Sequence, residues 1–226
     1  MIRFDCVEKS YATRDGRHRV LHPTSFEIGR GAAIGLCGHN GAGKSTLLRL
    51  IAGVEQPSAG RISRDMSVSW PLGYASSFQS SLSGADNVRF IARIYGKPVD
   101  EVVAFVDDFA ELGHFMRMPI RTYSSGMVAR LAFAASLAVD FDCYLVDEIT
   151  AAGDERFRER CHAALMLRRE SGSLIMVSHD PHTLRLYCDR GALLRDGSVT
   201  FYDELDEAIE LHFALPPRAT TVSDAA

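Results

Sequence analysis

A glycine-rich loop between an apolar run and a helical pattern is the feature that most constrains the fold. Residues 38–46 read GHNGAGKST and fit the pattern G-x-x-x-x-G-K-S/T. The apolar run before them, residues 32–37, suits a buried parallel strand, and residues 45–52 place apolar side chains at helical spacing. Glycines in such a loop let backbone N–H groups turn inward around phosphate oxygens. The sequence therefore predicts a strand, a phosphate-binding loop and a helix within an α/β fold.

The loop also predicts how a nucleotide and its metal ion would be held. Lys44 would neutralise phosphate charge, and Ser45 would offer its hydroxyl to Mg²⁺. Tyr11 follows the first predicted strand and is expected to stack on adenine, but a tyrosine there is otherwise ordinary core or turn material. The loop residues expected to contact the nucleotide are Gly38, His39, Asn40, Gly41, Ala42, Gly43, Lys44, Ser45 and Thr46.

Two carboxylates end a second apolar run and supply candidates for hydrolysis. Residues 143–148 read CYLVDE, so Asp147 and Glu148 are expected at the C-terminal edge of a parallel strand, where ligands collect in open sheets. We predict that Asp147 binds Mg²⁺ and that Glu148 polarises the attacking water. The alternative is a pair of acids that simply ends a strand at the surface.

Gln79 and His179 are candidates that gain weight only beside the glycine loop. Gln79 follows Lys44 at a separation suited to a loop that reaches back toward the metal, and His179 follows the apolar run 173–178. A lone histidine at a strand end is more often a surface or core residue. The predicted catalytic residues are Lys44, Gln79, Glu148 and His179, and the predicted metal ligands are Ser45, Gln79 and Asp147.

Composition excludes several classes of protein. The net charge of −4 and the pI of about 6.1 give no global basic field, so we predict no nucleic-acid partner. The 5 cysteines show no C-x-x-C spacing and no signal peptide precedes them, which predicts reduced thiols. No window approaches the roughly 18–20 apolar residues that a membrane helix needs. If the protein works at a membrane, we expect another polypeptide to cross it.

Patterning along the chain predicts one domain with an insert. The first 30 residues read as short strands around a polar turn, which favours an antiparallel subdomain. Residues 84–113 turn helical, Ser124 is placed to cap a further helix, and from Cys143 strands and helices alternate regularly. We expect a domain over residues 1–215, with a helical insert over about 84–140, and a disordered tail over 216–226.

The glycine loop, Gln79, Ser124-Ser125-Gly126, the Asp147-Glu148 pair and His179 resemble, in order and separation, the nucleotide-binding domain of ABC transporters. The resemblance implies a P-loop NTPase fold, ATP and Mg²⁺ as cofactors, and ATP hydrolysis coupled to transport. It also implies a homodimer with two ATP molecules between the chains. In that dimer Ser124 and Gly126 would contact the γ-phosphate bound by the partner, and Asp154 would lie in an acidic loop that crosses to the partner.

Longer strings narrow the resemblance to the ATPase subunits of bacterial capsular polysaccharide exporters. They are SWPLG (69–73), FQSSLSGADNVRF (78–90), FAELGHFMRMPIRTYSSGM (109–127) and VDEITAAGDERF (146–157). This resemblance implies a peripheral position on the cytoplasmic face of the inner membrane, integral membrane permease subunits and further envelope export proteins as partners. The permease is expected to dock near Phe78, Leu82, Phe90 and Tyr95. O-antigen and teichoic acid exporters are the closest alternative, and a soluble ABC ATPase without transport is a more distant one.

Overall fold

The computed structural model describes residues 1–14, 16–73, 78–147 and 154–214. The strands are β1 (Ile2–Thr13), β2 (Gly16–Ile28), β3 (Ala33–Cys37), β4 (Ala59–Arg64), β5 (Val68–Leu72), β6 (Cys143–Asp147), β7 (Ser173–Val177), β8 (Arg190–Arg195) and β9 (Ser198–Tyr202). The helices are α1 (Lys44–Ala52), α2 (Gly84–Ile94), α3 (Val99–Ala110), α4 (Ser125–Leu137), α5 (Glu155–Ser171), α6 (Pro181–Tyr187) and α7 (Leu205–Ala214). Two short 3-10 helices, Gly113–Arg117 and Ile120–Thr122, lie between α3 and α4. No helix within the described ranges combines the length and the apolar character needed to span a bilayer.

The smaller sheet is antiparallel and has the strand order β2-β1-β4. Its register pairs Ile2 with Ile28 on one side and with Arg64 on the other. Ile2, Phe4 and Val7 point from β1 into the core, and the Phe4 and Phe26 rings stack 4.3 Å apart. The predicted N-terminal antiparallel subdomain is therefore confirmed.

The larger sheet has the strand order β5-β6-β7-β3-β8-β9, with only β9 antiparallel to its neighbour. Buried side chains of β6 alternate between two hydrophobic cores: Tyr144 and Val146 face the one that contains the helical insert, while Cys143 and Leu145 face the one that contains β1 and α1. Because both faces are covered, the central strands are apolar throughout. Because β6, β7 and β3 are adjacent and parallel, their C-terminal ends lie side by side at one edge of the larger sheet.

The helices α2, α3 and α4 form the predicted helical insert, and aromatic packing joins it to α5. Phe109 of α3 stacks on Phe133 of α4 at 6.2 Å and meets Phe157 of α5 edge-on at 5.8 Å. Ser124 caps α4, since its hydroxyl accepts a hydrogen bond from the Met127 N–H. The boundaries proposed for the domain and its insert stay a prediction, and the tail over 216–226 lies outside the described residues.

The cysteines are all free thiols, as the sequence predicts. Cys6 is exposed, and Cys37, Cys143, Cys161 and Cys188 are buried. Burial raises the pKa of Cys37 to about 11 and that of Cys143 to about 12, because a thiolate is poorly solvated there. The buried thiols therefore serve as small apolar side chains.

Candidate functional site

The glycine loop leaves β3 at its C-terminal end and requires glycine at two positions. Gly38 has φ 154° and Gly43 has φ 104°, a region of backbone space that disfavours other residues. A Cβ on Gly38 would lie 2.6 Å from the Leu194 carbonyl oxygen, and one on Gly43 would lie 2.5 Å from Val20 Cγ1. Glycine is therefore favoured at Gly38 by its positive φ and the nearby Leu194 backbone, and at Gly43 by its positive φ and the nearby Val20 side chain.

The first turn of α1 presents its amides to the loop. Gly43 is the N-cap residue and supplies no side chain, and the first turn contains no acidic residue. The N–H groups of a first helical turn have no carbonyl partner within the helix, and the helix dipole places partial positive charge there. A phosphate group fits this position, because it supplies acceptor oxygens and negative charge together.

Lys44 is the charged residue at the centre of this loop. Its side chain is 8% exposed, and Nζ donates to the carbonyl oxygens of Gly38 at 2.5 Å and His39 at 3.1 Å. Carbonyl oxygens carry only partial negative charge, so an anion would stabilise the ammonium more strongly. The predicted role of Lys44 as a phosphate ligand fits this environment.

A cleft of about 480 Å³ opens beside the loop and brings together most of the predicted site residues. Asp147 ends β6 directly beside Val177 of β7 in the parallel register, and this adjacency carries Asp147 and His179 to the same edge as Lys44. The lining residues are Val20, His39, Asn40, Gly41, Gly43, Lys44, Ser45, Thr46, Asp147, Val177 and His179.

Three residues at or near this cleft were missed by sequence reasoning. Val20 and Val177 line it as apolar walls. Burial, and next the proximity of Lys44, His179 and His39, lower the pKa of His212 near the end of α7. Val177 could have been found as the residue just before Ser178-His179, but no local signal marks Val20 or His212. The Lys44 ammonium in the same cleft favours a phosphate-bearing ligand.

Tyr11 lies beside α1, with its hydroxyl 3.4 Å from Thr46 Oγ1 and 3.5 Å from an Arg49 guanidinium nitrogen. The Lys9 ammonium lies 5.0 Å from the centre of the tyrosine ring. Lys9 also pairs with Glu55 at 2.8 Å. The ring is thus held next to the phosphate loop, and its stacking on adenine stays a prediction.

Gln79, Ser124, Gly126 and Asp154 are predicted site residues that are not among those lining the cleft. Gln79 is exposed at the start of the helical insert, and Ser124 and Gly126 form the first turn of α4. Asp154 caps α5 by accepting from the Phe157 N–H at 2.9 Å. Glu148 lies outside the described residues, so its predicted role is untested.

The donor set at the cleft suits Mg²⁺ bound together with phosphate. Within residues 1–14, 16–73, 78–147 and 154–214, no group of three or more His, Cys, Asp or Glu side chains could hold a metal by itself. Mg²⁺ is commonly held by one or two carboxylates together with substrate phosphates and waters. The Asp147 carboxylate and the Ser45 hydroxyl share the cleft and match that requirement.

The sequence of this chain is similar to those of known transport proteins. Residues 21–151 match the family described as ABC transporter. The chain belongs to the ABC transporter family. The capsule polysaccharide export ATP-binding protein CtrD of Neisseria meningitidis serogroup B is 50% identical over 216 residues, which cover 96% of this chain and 100% of that protein. The polysialic acid transport ATP-binding protein KpsT of Escherichia coli is 48% identical over 212 residues, covering 92% of this chain and 97% of that protein.

Solved structures confirm the ABC fold. The dimeric post-hydrolysis structure of the ATP-binding cassette MJ0796, bound to ADP and Pi, superposes with a TM-score of 0.77. The superposition covers 91% of this chain and 99% of that one at 22% sequence identity. The predicted α/β class, with its antiparallel subdomain and helical insert, is therefore confirmed, and so is the assignment to the ABC ATPases.

Proposed function

We propose that this ABC transporter subunit hydrolyses ATP to move capsular polysaccharide across the inner membrane. The observation that carries the proposal is the 50% identity, over 96% of the chain, to a protein named for capsule polysaccharide export. The cleft supports the ATPase part, because Lys44, Ser45, Asp147 and His179 line one cavity beside an uncapped helix N-terminus. O-antigen and teichoic acid are the alternative cargoes, and an ABC ATPase without transport is the remaining alternative.

Each proposed site residue has a separate role in phosphoryl transfer to water. Amides of the loop and Lys44 bind the β- and γ-phosphates, with Lys44 exchanging its bonds to Gly38 and His39 for phosphate oxygens. Ser45 and Asp147 line the cleft and would hold Mg²⁺, which would supply neutralisation of phosphate charge there. Gln79 is not among the lining residues and is the third proposed ligand. Glu148 would accept a proton from the attacking water, while His179 lies at the same sheet edge and contributes polar contacts to the γ-phosphate.

A homodimer completes the proposed site. Ser124 and Gly126 lie outside the cleft that their own chain forms, so they serve a nucleotide only if a second copy presents them. The first turn of α4 would then direct its partial positive charge at the γ-phosphate from the opposite side. In the same proposed dimer, Asp154, which is exposed at the start of α5, would lie at the interface between the two chains.

The helical insert offers a surface for integral membrane permease subunits. Leu82 is 44% exposed and Phe90 60% exposed, and Tyr95 is also exposed, which supports their proposed role as apolar contacts. Phe78 instead packs against the main core and is only partly exposed. The proposed position of the chain is the cytoplasmic face of the inner membrane, bound to the permease, with further envelope export proteins as additional partners.

Replacing Glu148 with Gln tests the proposed hydrolysis. We expect ATP affinity to be retained and single-turnover hydrolysis to slow by about 10²–10⁴-fold, because the amide cannot accept the proton from water. Lys44→Ala is the contrasting variant, since it should lose ATP affinity itself. Wild-type single-turnover rates in Glu148→Gln would contradict the assignment of Glu148.

The cargo is tested in a strain that lacks this gene, complemented with the wild-type chain or with Glu148→Gln. We expect surface capsule with the wild type and lipid-linked polysaccharide trapped in the cytoplasm with the variant. Normal capsule in the uncomplemented strain would reject the capsule assignment. In that case, O-antigen or teichoic acid retained inside the same cells would identify the alternative cargo, and normal export of all three would favour an ATPase without transport.

A further inference from the structure

The Asn87 side chain holds the backbone of Gln79 from both sides. Asn87 Oδ1 accepts from the Gln79 N–H at 2.8 Å, and Asn87 Nδ2 donates to the Gln79 carbonyl at 3.1 Å. Nδ2 also donates to the Ser83 carbonyl at 2.9 Å. Asn87 is 4% exposed. Loss of its side chain would remove the partner of the Gln79 N–H, while the Gln79 and Ser83 carbonyls would keep their bonds from the Leu82 and Asn87 N–H groups. A carboxamide suits this position because it presents an acceptor and a two-hydrogen donor on one short side chain.

The residues that follow Gln79 are joined to the segment that precedes α4. We call residues 79–83 the Gln79 segment. The Arg121 N–H donates to the Ser80 carbonyl at 2.9 Å, and the Ile120 N–H donates to the Leu82 carbonyl at 3.0 Å. Ser83 forms a β-bridge with Pro119. Hydrogen bonds therefore join the Gln79 segment to Asn87 of α2 and to residues 119–121, which precede α4.

Gln79 itself is exposed, so the position of its side chain depends on where its backbone is held. Its backbone hydrogen bonds within the described residues are the two with the Asn87 side chain and the one that its carbonyl oxygen accepts from the Leu82 N–H within the same segment. We propose that Asn87 is a positioning residue for Gln79, which sets the place of the Gln79 amide relative to the nucleotide and its metal. The proposal rests on the proposed function, since it presumes that Gln79 acts on the metal or on the attacking water.

The test compares Asn87→Ala with Gln79→Ala and with the double variant, all as full chains. The measurements are kcat for ATP hydrolysis, the Mg²⁺ concentration for half-maximal rate, ATP affinity and melting temperature. We expect Asn87→Ala to lower kcat on the order of 10-fold and to raise the Mg²⁺ concentration for half-maximal rate. The reason is that a small displacement of the Gln79 amide from its working position slows catalysis. ATP affinity should change little, and the double variant should be no slower than Gln79→Ala.

Ser83→Ala is the matched control for helix stability. The Ser83 hydroxyl caps α2 by accepting from the Asp86 N–H, so this variant weakens the same helix and leaves the contacts of Asn87 to Gln79 intact. We expect a lower melting temperature with wild-type kcat and Mg²⁺ dependence. Asn87→Asp keeps the side-chain shape but removes both donated bonds, and it serves as the second variant if Asn87→Ala does not fold.

The outcomes separate the inference from the proposed function. Slow hydrolysis in Gln79→Ala together with wild-type rates in Asn87→Ala and Asn87→Asp would overturn the inference alone. Losses that multiply in the double variant would also overturn it, since Asn87 would then act independently of Gln79. Wild-type hydrolysis in Gln79→Ala would refute the role of Gln79 in the proposed function and the inference with it.

Discussion

Lys9, Tyr11, Arg49 and Glu55 form a polar cluster beside α1. Arg49 Nε donates to Glu55 at 3.0 Å, and an Arg49 terminal nitrogen lies 3.2 Å from Thr46 Oγ1. Burial alone would raise the pKa of Glu55, but hydrogen bonds from Lys9, Tyr11 and Arg49 outweigh it and lower the pKa to about 2. This cluster joins the predicted adenine contact to the helix that begins at the phosphate loop.

The lowered pKa of Glu55 predicts how the free energy of unfolding changes with pH in acid. Because its pKa falls from an ordinary 4.5 to about 2 on folding, the stabilisation is fully present above pH 4.5 and is lost as the pH falls toward 2. Glu55→Gln should therefore be less stable than the wild type at pH 7, and the difference should shrink steadily below pH 4.5. Urea denaturation at several pH values measures this, and a difference that stays constant down to pH 2.5 would contradict it.

Helix caps fix the elements that surround the site. Ser83, Ser124, Asp154 and Asp180 each accept a backbone N–H at the start of α2, α4, α5 and α6. At α5 the same carboxylate also accepts from Arg130 of α4 at 3.0 Å. The bond from the Phe157 N–H and the charge of Arg130 hold the pKa of Asp154 below its usual value. The cap thus ties the first turn of α5 to α4.

Two substitutions of Asp154 distinguish the contribution of the helix cap to stability from that of the ion pair with Arg130. We expect Asp154→Ala to lower the melting temperature by about 2–4 °C, whereas Asp154→Asn, which still caps the helix, should recover most of that loss. Differential scanning calorimetry of both variants measures this. Equal melting temperatures for the two variants would show that the ion pair with Arg130, and not the cap, supplies the stability.

At the scale of the whole molecule, the nucleotide cleft and the proposed docking surface lie on different elements. The cleft lies at the C-terminal edge of the parallel sheet, while Phe90 lies on α2 of the insert and Leu82 lies in the segment just before α2. Partial burial of Phe78 against the main core means that a charge there would also cost stability, so it is the poorer probe of docking. Leu82 tests the same surface without disturbing the core.

Leu82→Glu should abolish export while the isolated chain keeps its ATP affinity and its melting temperature. Exposed positions tolerate substitution within about 0.5 kcal/mol, so a loss of export would reflect a lost contact with the permease. Leu167→Glu is the matched control, because Leu167 is 65% exposed on α5 and lies outside the proposed docking surface. Undiminished export by Leu82→Glu would remove this surface from the docking site.

Local patterns in the sequence determined the elements, because periodicity, caps and glycine conformations depend on near neighbours. Helix α4 begins after Ser124 as predicted, and β6 occupies 143–147 within the predicted apolar run 143–148. The phosphate loop was equally local, since its glycines and Lys44 lie on one continuous stretch.

Tertiary structure alone decided which distant residues meet. The adjacency of β6, β7 and β3 carries Asp147 and His179 to the phosphate loop, and β2 brings Val20 against Gly43. The end of α7 brings His212 near the same site. The bonds from Asn87 to Gln79 depend on how a loop folds back onto α2. None of these contacts can be predicted from the periodicity of apolar residues, because each joins two segments that only tertiary packing brings together.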